Sequence, residues 1–554
     1  MTAELKEKIR ENLSQILKNN NWDLLLEKVV VEETKNYKFG FLNTNLPYLI
    51  SSTYKKSLEE IEERLIAGWK EVSNLTEIEK AEINQGYLNF YPSSELIKEF
   101  YFVSEKNKKI VFGANRDSNW LKKYMVEIVS ANPTGELHIG HIRNGVITDS
   151  LSNLLEYNGN SVYRAYLVND AGAQIRELVE SIHLIHSYFA KGTSISEPPK
   201  YHSEIIESCV KEITLKYGSH WSLDNKELTK EIKLFAIEYL LGAIKKELEE
   251  LSIKVDSWDY ESEICTESAL ALLINKLKEH LYLNDKALWF STSKFFKEIN
   301  KDDVLVKKDG SITYFCQDLI YHLKKLDFLG TEGKIVNVLA QDHSSHINRM
   351  KAFFKAINLP EDMVQYKTTQ LSRLLVNGKK VVLSKRDNVY LNLTELKEHL
   401  SLDEIRWLLS SRDEESELDI DISKLKEKNY NNPIFYILYA FSRASSLIEI
   451  IKLEPKKSNS SFKALTSNKE LELIYTILSL ESHYKRAIDT LKPSVISAYL
   501  LNLAQKFHTF YEAFSIQNDS NMETKTARFI LVKLVHRIFS ELLPIFRVQP
   551  RKLS

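Results

Sequence analysis

Apolar residues in this chain change period along its length, and the clearest change begins at Val126. The chain is apolar through Ile128 and Val129, turns polar at Ser130-Ala131-Asn132-Pro133-Thr134-Gly135, and becomes apolar again at Ile142, Val146, Ile147, Leu151, Leu154 and Leu155. The second set keeps to one face at the helical period, so a strand, a tight loop and a helix opening at His138-Ile139-Gly140-His141 are predicted. Ser161 to Val168 is a short apolar and aromatic run that suits a buried parallel strand. Strand, helix, strand in this order is a crossover unit. The sheet pattern returns at Ile335-Val336-Asn337-Val338-Leu339, ahead of a helix bearing Met350, Phe353 and Phe354. Between these, about 176–300 reads as a charged helical insertion, for example Leu178 to Phe189 and Lys230 to Leu251.

The flanks carry other patterns. Residues 1–110 alternate helical stretches (Leu5 to Leu17, Leu58 to Ile66) with strand-like pieces (Lys28 to Glu32, Tyr87 to Tyr91), an α+β module. A linker over Gly113 to Asn119 leads to the region 120–395. From 396 to 554 strand signals vanish and amphipathic helices continue, broken at Ser458 to Ser461, as in a helical bundle. At 554 residues the chain exceeds one hydrophobic core, which agrees with such a division.

Composition adds exclusions. Three cysteines, Cys209, Cys265 and Cys316, lack C-x-x-C spacing, so neither a disulfide framework nor a thiolate zinc site is expected. The first residues carry acids and no apolar core, and no apolar run reaches the roughly 18 residues of a membrane span, so a cytoplasmic protein without a membrane is expected. Net charge is −1, but from Lys452 onward there are 16 Lys/Arg against 9 Asp/Glu, which favours a polyanion there or a plain solvated surface.

The candidate chemistry lies where the predicted strands end, the edge at which open α/β sheets bind ligands. A helix start presents unpaired N–H groups to phosphate. His138 and His141 add donors, and Gly140 leaves room for a purine. Zinc is the alternative for His-x-x-His, but no third ligand follows. His183 and His186 share the spacing and read as a solvated or packed helix surface. A second element, Gly378-Lys379-Lys380-Val381-Val382-Leu383-Ser384-Lys385-Arg386-Asp387-Asn388, is a glycine turn followed by a cationic loop.

Together, His-Ile-Gly-His early and Leu-Ser-Lys-Arg late resemble the HIGH and KMSKS signatures of class I aminoacyl-tRNA synthetases. The surroundings resemble the arginyl-tRNA synthetase family along almost the whole chain. The matching segments are Gly86 to Phe90, Val126 to Gly135, Leu167 to Gln174, Asp309-Gly310 with Thr313 to Phe315 and Asp318, Asp342-His343 with His346, and Asn432-Pro433 with Tyr436, Tyr439, Ala440 and Arg443. Two departures are Val382 at the first lysine of KMSKS and the absence of a glycine before Asn388.

The resemblance implies an α/β protein. It has a Rossmann-like parallel-sheet catalytic domain at 120–395, an N-terminal module at 1–110 against the tRNA elbow, and an all-α anticodon-binding bundle at 396–554. It implies ATP-dependent attachment of L-arginine to tRNA(Arg) through an arginyl-adenylate, with Mg2+ carried by the nucleotide and no protein metal site. His138, His141 and Lys385 become the catalytic residues, with Gly140, Ser384 and Arg386 beside them on ATP. Glu127 and Asp318 become the carboxylates for the guanidinium, with Tyr314 beside them, while Ser130, Asn132 and His141 hold the amino and carboxylate ends and His343 is a further contact. In the bundle Tyr436, Tyr439 and Arg443, with Phe507 and Tyr511, would meet the anticodon arm. A monomer is expected.

Overall fold

The computed structural model describes residues 2–34, 36–107, 110, 122–191, 198–330, 332–340, 344–370, 372–376, 379–380, 392–413, 415–416, 418–421, 431–455 and 462–553. His343, Val382, Ser384, Lys385, Arg386, the linker 113–119 and the break at 458–461 lie outside the described residues. The chain divides into two units, Ser118–Lys424 and Met1–Asp117 with Leu425–Ser554.

The first of these is built on a five-stranded parallel sheet. Its elements are β1 (Lys123–Glu127), α1 (Ile139–Tyr157), β2 (Ser161–Val168), α2 (Gly172–Lys191), β3 (Ser257–Tyr260), α3 (Tyr314–Leu329), β4 (Lys334–Ala340), α4 (Ser344–Ala356) and β5 (Val364–Thr369). The strand order is β5-β4-β1-β2-β3. Register pairs Glu127 with Ala165 on one side of β1 and Val126 with Val336 on the other. The order reverses at β1, so the crevice between β1 and β4 is the topological switch point of a Rossmann-like sheet. Met125, Ala165, Leu319, Ile320, Ile335 and Phe353 belong to the core packed on this sheet.

Most of 173–250 is helical as expected: α2 packs with helices Glu204–Tyr217 and Lys226–Glu250 around Leu178, Ile182, Cys209 and Leu240. Beyond 250 the expected helical insertion is helical only in part, at Glu261–Ile264 and Glu267–Leu277. Ser257–Tyr260 forms the edge strand of the main sheet, and Leu281–Asn284, Ala287–Phe290 and Asp303–Val306 form a small antiparallel sheet. These strands are four residues each. Runs that short carry no readable period, and pairing with distant partners decides them. Beyond 396 the expectation of helix alone also fails, because Leu418–Asp421 pairs in parallel with Ser372–Val376.

In the other unit, Glu32–Glu33, Leu42–Thr44, Tyr87–Pro92 and Ile78–Asn84 form an antiparallel sheet in that order, with helices Thr2–Asn19, Leu46–Tyr54, Leu58–Val72 and Ser94–Asn107. The strand expected at Lys28 to Glu32 is displaced: Asp23–Lys28 is a 3₁₀ turn and only Glu32 and Glu33 pair. Helices Pro433–Ile451, Asn468–Leu478, Leu480–Thr490, Ser494–Ala513 and Met522–Leu542 form the bundle. Pro433–Ile451, with mean hydropathy 1.5, is by length and composition apolar enough to cross a membrane, contrary to the sequence reading. Here it is a core helix: Ile437, Ala440 and Ala444 are fully buried on one face, and Arg443 hydrogen-bonds on another.

Candidate active site

The segment after β1 is backbone under strain. Val129 and Ser130 both adopt positive φ (56° and 50°), and Ser130 N–H donates to Ile128 O at 2.6 Å around Val129. For a β-branched residue this region is a true outlier that only its surroundings can hold. Gly145 on α1 permits it, since a Cβ there would meet Val129 Cγ2 at 2.7 Å. The reversal turns Ser130 toward β2, where its Oγ accepts from Leu167 N–H at 3.0 Å. Tyr166 donates to Ala131 O at 2.8 Å, and Asn132 donates to Gln174 at the start of α2. The eleven-residue connection over 128–138 is therefore longer than a tight loop, and it is tethered at several points.

His138 is the N-cap of α1, one position before its first turn. Its Nδ1 accepts from the amides of Gly140 (3.1 Å) and His141 (3.3 Å). Two helix N–H groups expected to face phosphate are thus already satisfied by the protein. An Nδ1 that accepts carries no proton, so the neutral ring of His138 carries it on Nε2. Burial pushes the His138 pKa down. His141 stacks on it at 3.6 Å between centroids and is pushed down to about 3 by burial and by His138. Both rings are therefore neutral donors at pH 7. Gly140 has a more specific reason than room for a purine, since a Cβ would sit 2.9 Å from His138 Cε1. His141 Nδ1 is buried without a partner among the described residues, an unfilled polar position that suits a ligand atom.

Further along α1, Arg143 is fully buried and donates to the carbonyls of Gln370 (2.8 Å), Ser416 (3.1 Å) and Asp413 (3.2 Å). The signature helix is thereby fixed to segments on both sides of the cationic loop in sequence.

The second wall is α3, capped by Thr313, whose Oγ accepts from Cys316 N–H. Tyr314 and Asp318 lie four apart and share a face. They line a cavity of about 170 Å³ with Asn169, Glu261, Gln317 and Tyr321. Asp318 pairs with His346 at 3.1 Å, and Tyr314 is 61% exposed. Glu127 does not join them there. It accepts from Lys325 at 2.6 Å. Lys325 also donates to Asn337 Oδ1 (3.2 Å), Asn337 donates to His322 Nε2 (3.0 Å), and His322 Nδ1 donates to Asp318 O (2.8 Å). Donors and acceptors alternate without conflict only if His322 is neutral, and burial beside Lys325 pushes it down to about 3. The Glu127 carboxylate is thus linked by a buried polar chain to the backbone carbonyl of Asp318, while the Asp318 carboxylate faces the cavity and His346.

Lys325, Asn337 and Glu261 were missed by the sequence reading. Lys325 follows Asp318 by seven positions on the same helix, a spacing that would have placed it on the same face. Glu261 is buried, accepts from Gln317 at 2.5 Å, and is pushed up to about 7 by burial, Asp170 and Asp318. No pattern marks it. His183 and His186 do pack on a helix surface, both edge-on to Trp221.

In the bundle Tyr436, Tyr439 and Arg443 come together. Arg443 donates to Tyr439 (3.1 Å) and Glu512 (3.3 Å), lies 3.0 Å from His508 Nδ1, and stacks over Tyr439 and Tyr511. Phe507 is fully buried, so it is a core residue and not a stacking platform.

Known proteins resemble this chain over its full extent. Residues 3–91 match the family model described as arginyl tRNA synthetase N terminal domain, 106–406 that of tRNA synthetases class I (R), catalytic domain, and 437–552 that of the DALR anticodon binding domain. An arginine--tRNA ligase from Ureaplasma parvum serovar 3 is 32% identical over 567 residues, covering 99% of both chains. One from Staphylococcus carnosus is 30% identical over 530 residues, 94% of each. The structure of Thermus thermophilus arginyl-tRNA synthetase superposes with TM-score 0.74 over 99% of this chain and 100% of that one, and at 18% identity it shows a shared fold. The chain belongs to the arginyl-tRNA synthetase family, of class I.

Proposed function

We propose that this chain joins L-arginine to tRNA(Arg) at the expense of ATP, through an arginyl-adenylate, for protein synthesis. The observation that carries the reading is the capped His138–His141 pair at the same sheet edge as the Tyr314–Asp318 cavity. Activation requires the arginine carboxylate to attack the α-phosphorus while pyrophosphate leaves, so two anions must approach. Neutral N–H donors held by the fold assist with little reorganisation, and each typically contributes about 3 kcal/mol. His138 Nε2–H and the His141 ring take that role on the phosphates, with Gly140 keeping the His138 ring in place. Lys385, flanked by Ser384 and Arg386, is assigned to the pyrophosphate from its sequence motif. Mg2+ brought in on the nucleotide offsets phosphate charge when bound.

Asp318 and Tyr314 meet the guanidinium, whose fork of donors matches a carboxylate. Glu127 acts with Lys325 at the inner end, Ser130 and Asn132 hold the amino end, His141 the carboxylate, and His343 is a further contact. The 3′-terminal adenosine then attacks the activated carbonyl and AMP leaves, which demands positioning more than chemistry. Residues 1–110 are assigned to the tRNA elbow and, within 396–554, the bundle from Pro433 onward, through Tyr436, Tyr439 and Arg443, to the anticodon arm. The protein is read as a cytoplasmic monomer that does not enter a membrane.

Pyrophosphate exchange screened across all amino acids, with and without tRNA, tests this. Exchange with arginine alone is expected. Exchange with cysteine or glutamine and none with arginine would sink the specificity.

A further inference from the structure

The segment Leu167 to Gln174 stands out in the sequence, yet the proposed chemistry gives its Asn169 no task. Asn169 is the first residue after β2 and lines the cavity of about 170 Å³ together with Tyr314 and Asp318. Pockets for whole small molecules begin at roughly 300 Å³, so this one suits the end of a single side chain. The neighbours of Asn169 hold it in place. Val168 and Asp170 are buried, and Asp170 N–H donates to Val168 O at 3.1 Å. The Asp170 carboxylate in turn accepts from the backbone N–H (2.9 Å) and the hydroxyl (2.5 Å) of Ser262.

Its side chain is left open. Asn169 Oδ1 is buried and has no hydrogen-bond partner among the described residues. Other polar groups of the cavity already have partners: Gln317 donates to Glu261 at 2.5 Å, Tyr321 to Asp259 at 3.0 Å, and Asp318 meets His346 at 3.1 Å. Buried amide oxygens are nearly always matched, so an open one in this cavity calls for a donor that arrives with a ligand. A guanidinium has donors to spare: it carries five N–H groups in one plane, and a carboxylate fork takes two of them. A neutral acceptor suits the remainder better than a further carboxylate, because Glu261 is already pushed up to about 7 by burial, Asp170 and Asp318.

We infer that Asn169 is a specificity-determining residue for arginine, its Oδ1 accepting a guanidinium N–H from the strand wall of the cavity as Asp318 does from the helix wall. The inference rests on the proposed function and adds a second acceptor for the side chain that is selected.

The test uses the full chain carrying Asn169→Leu, which removes the acceptor at similar volume, and Asn169→Asp, which keeps it. Arginine-dependent pyrophosphate exchange is measured with tRNA(Arg) present. Two inhibitors divide the substrate: agmatine lacks the carboxylate, and L-norvaline lacks the guanidinium. For Asn169→Leu the arginine KM and the agmatine inhibition constant are expected to rise together about tenfold, the low end for a hydrogen bond with one charged partner. The norvaline inhibition constant and the ATP KM should stay within about twofold, and Asn169→Asp should hold the arginine KM within about threefold of wild type. Urea unfolding without substrates should be no easier for Asn169→Leu than for wild type, since the substitution removes an unmatched acceptor. A clear loss of stability in Asn169→Leu, an unchanged arginine KM, an equal rise in the norvaline constant, or equal losses from the Leu and Asp variants each overturn the assignment while arginine exchange by the wild type stands. If the wild type exchanges no pyrophosphate with arginine, the Asn169 assignment falls with the proposed function.

Discussion

Lys325, 1% exposed, donates to Glu127 at 2.6 Å across 198 residues of sequence, joining α3 to the end of β1 beneath the switch point. The pair holds two ions largely out of water, and Asn337 satisfies a second proton of the ammonium. Removing one partner leaves the other charge stranded, which typically costs about 3–5 kcal/mol. Glu127 keeps 21% exposure, so the lower end applies. Lys325→Met is expected to lower the unfolding free energy of this unit by about 3 kcal/mol. Glu127→Gln with Lys325→Met should recover more than half, as measured by urea titration of all four proteins of the cycle. Simple additivity of the two substitutions would show that the pair is not coupled.

Gly140→Ala separates stability from activity. The added methyl lies 2.9 Å from His138 Cε1, so the ring must swing away and release the amides of Gly140 and His141. Losing that cap costs about 1 kcal/mol, and alanine in place of glycine within a helix returns about 1 kcal/mol. Unfolding free energy should therefore stay within about 1 kcal/mol of wild type, while arginine-dependent pyrophosphate exchange falls about tenfold or more. A well-folded variant with full exchange would remove the His138 orientation from the chemistry.

Stability against pH has two opposed contributions. His141 and His322 are pushed down to about 3, so the unfolded chain binds the extra protons below pH 6.5 and stability falls as pH drops toward 3. Glu247 and Glu261 are pushed up to about 7 by burial and neighbouring carboxylates, so the folded chain binds the extra protons between about 4.5 and 7 and stability falls as pH rises through that window. The two pairs largely cancel from 4.5 to 6.5. Glu261→Gln removes one term, so its stability relative to wild type should rise with pH by up to about 1.4 kcal/mol per unit between pH 5 and 6.5 and stop changing above 7. Parallel curves for the two proteins from pH 5 to 8 would contradict the elevated Glu261.

How far the sequence could be read follows from the range of each interaction. Continuous apolar runs made β2 and the interior of β4 legible, and the face formed by Val146, Leu151 and Leu154 made α1 legible, because both signals are local. Tyr314 and Asp318 share a face by helical spacing, and the structure brings them to one cavity. The edge strand Ser257–Tyr260 was not legible, since four residues acquire strand character only by pairing with Ala165 to Val168. Nor was the neutral, capping state of His138, because histidine is not among the residues that ordinarily cap helices. The Lys325 chain depends on contacts between residues far apart in sequence, and no periodicity encodes those.

Asp318→Asn tests the guanidinium pocket directly. Asp318 is half-buried, its carboxylate meets His346 at 3.1 Å, and its backbone carbonyl anchors His322. The substitution keeps that carbonyl and the side-chain volume, so the fold should survive, while a charge-assisted acceptor for the substrate is lost. Such a bond contributes about 1.5–3 kcal/mol, which corresponds to roughly 10- to 150-fold in binding. The arginine KM is expected to rise by that factor, with ATP and tRNA KM changing less than about threefold. Because the site would then lack an acceptor matched to a guanidinium and not to a neutral chain, discrimination against citrulline, which replaces the guanidinium by a neutral urea group, should fall by a similar factor. Equal rises for arginine and ATP would mean that Asp318 supports the site as a whole and does not read the side chain.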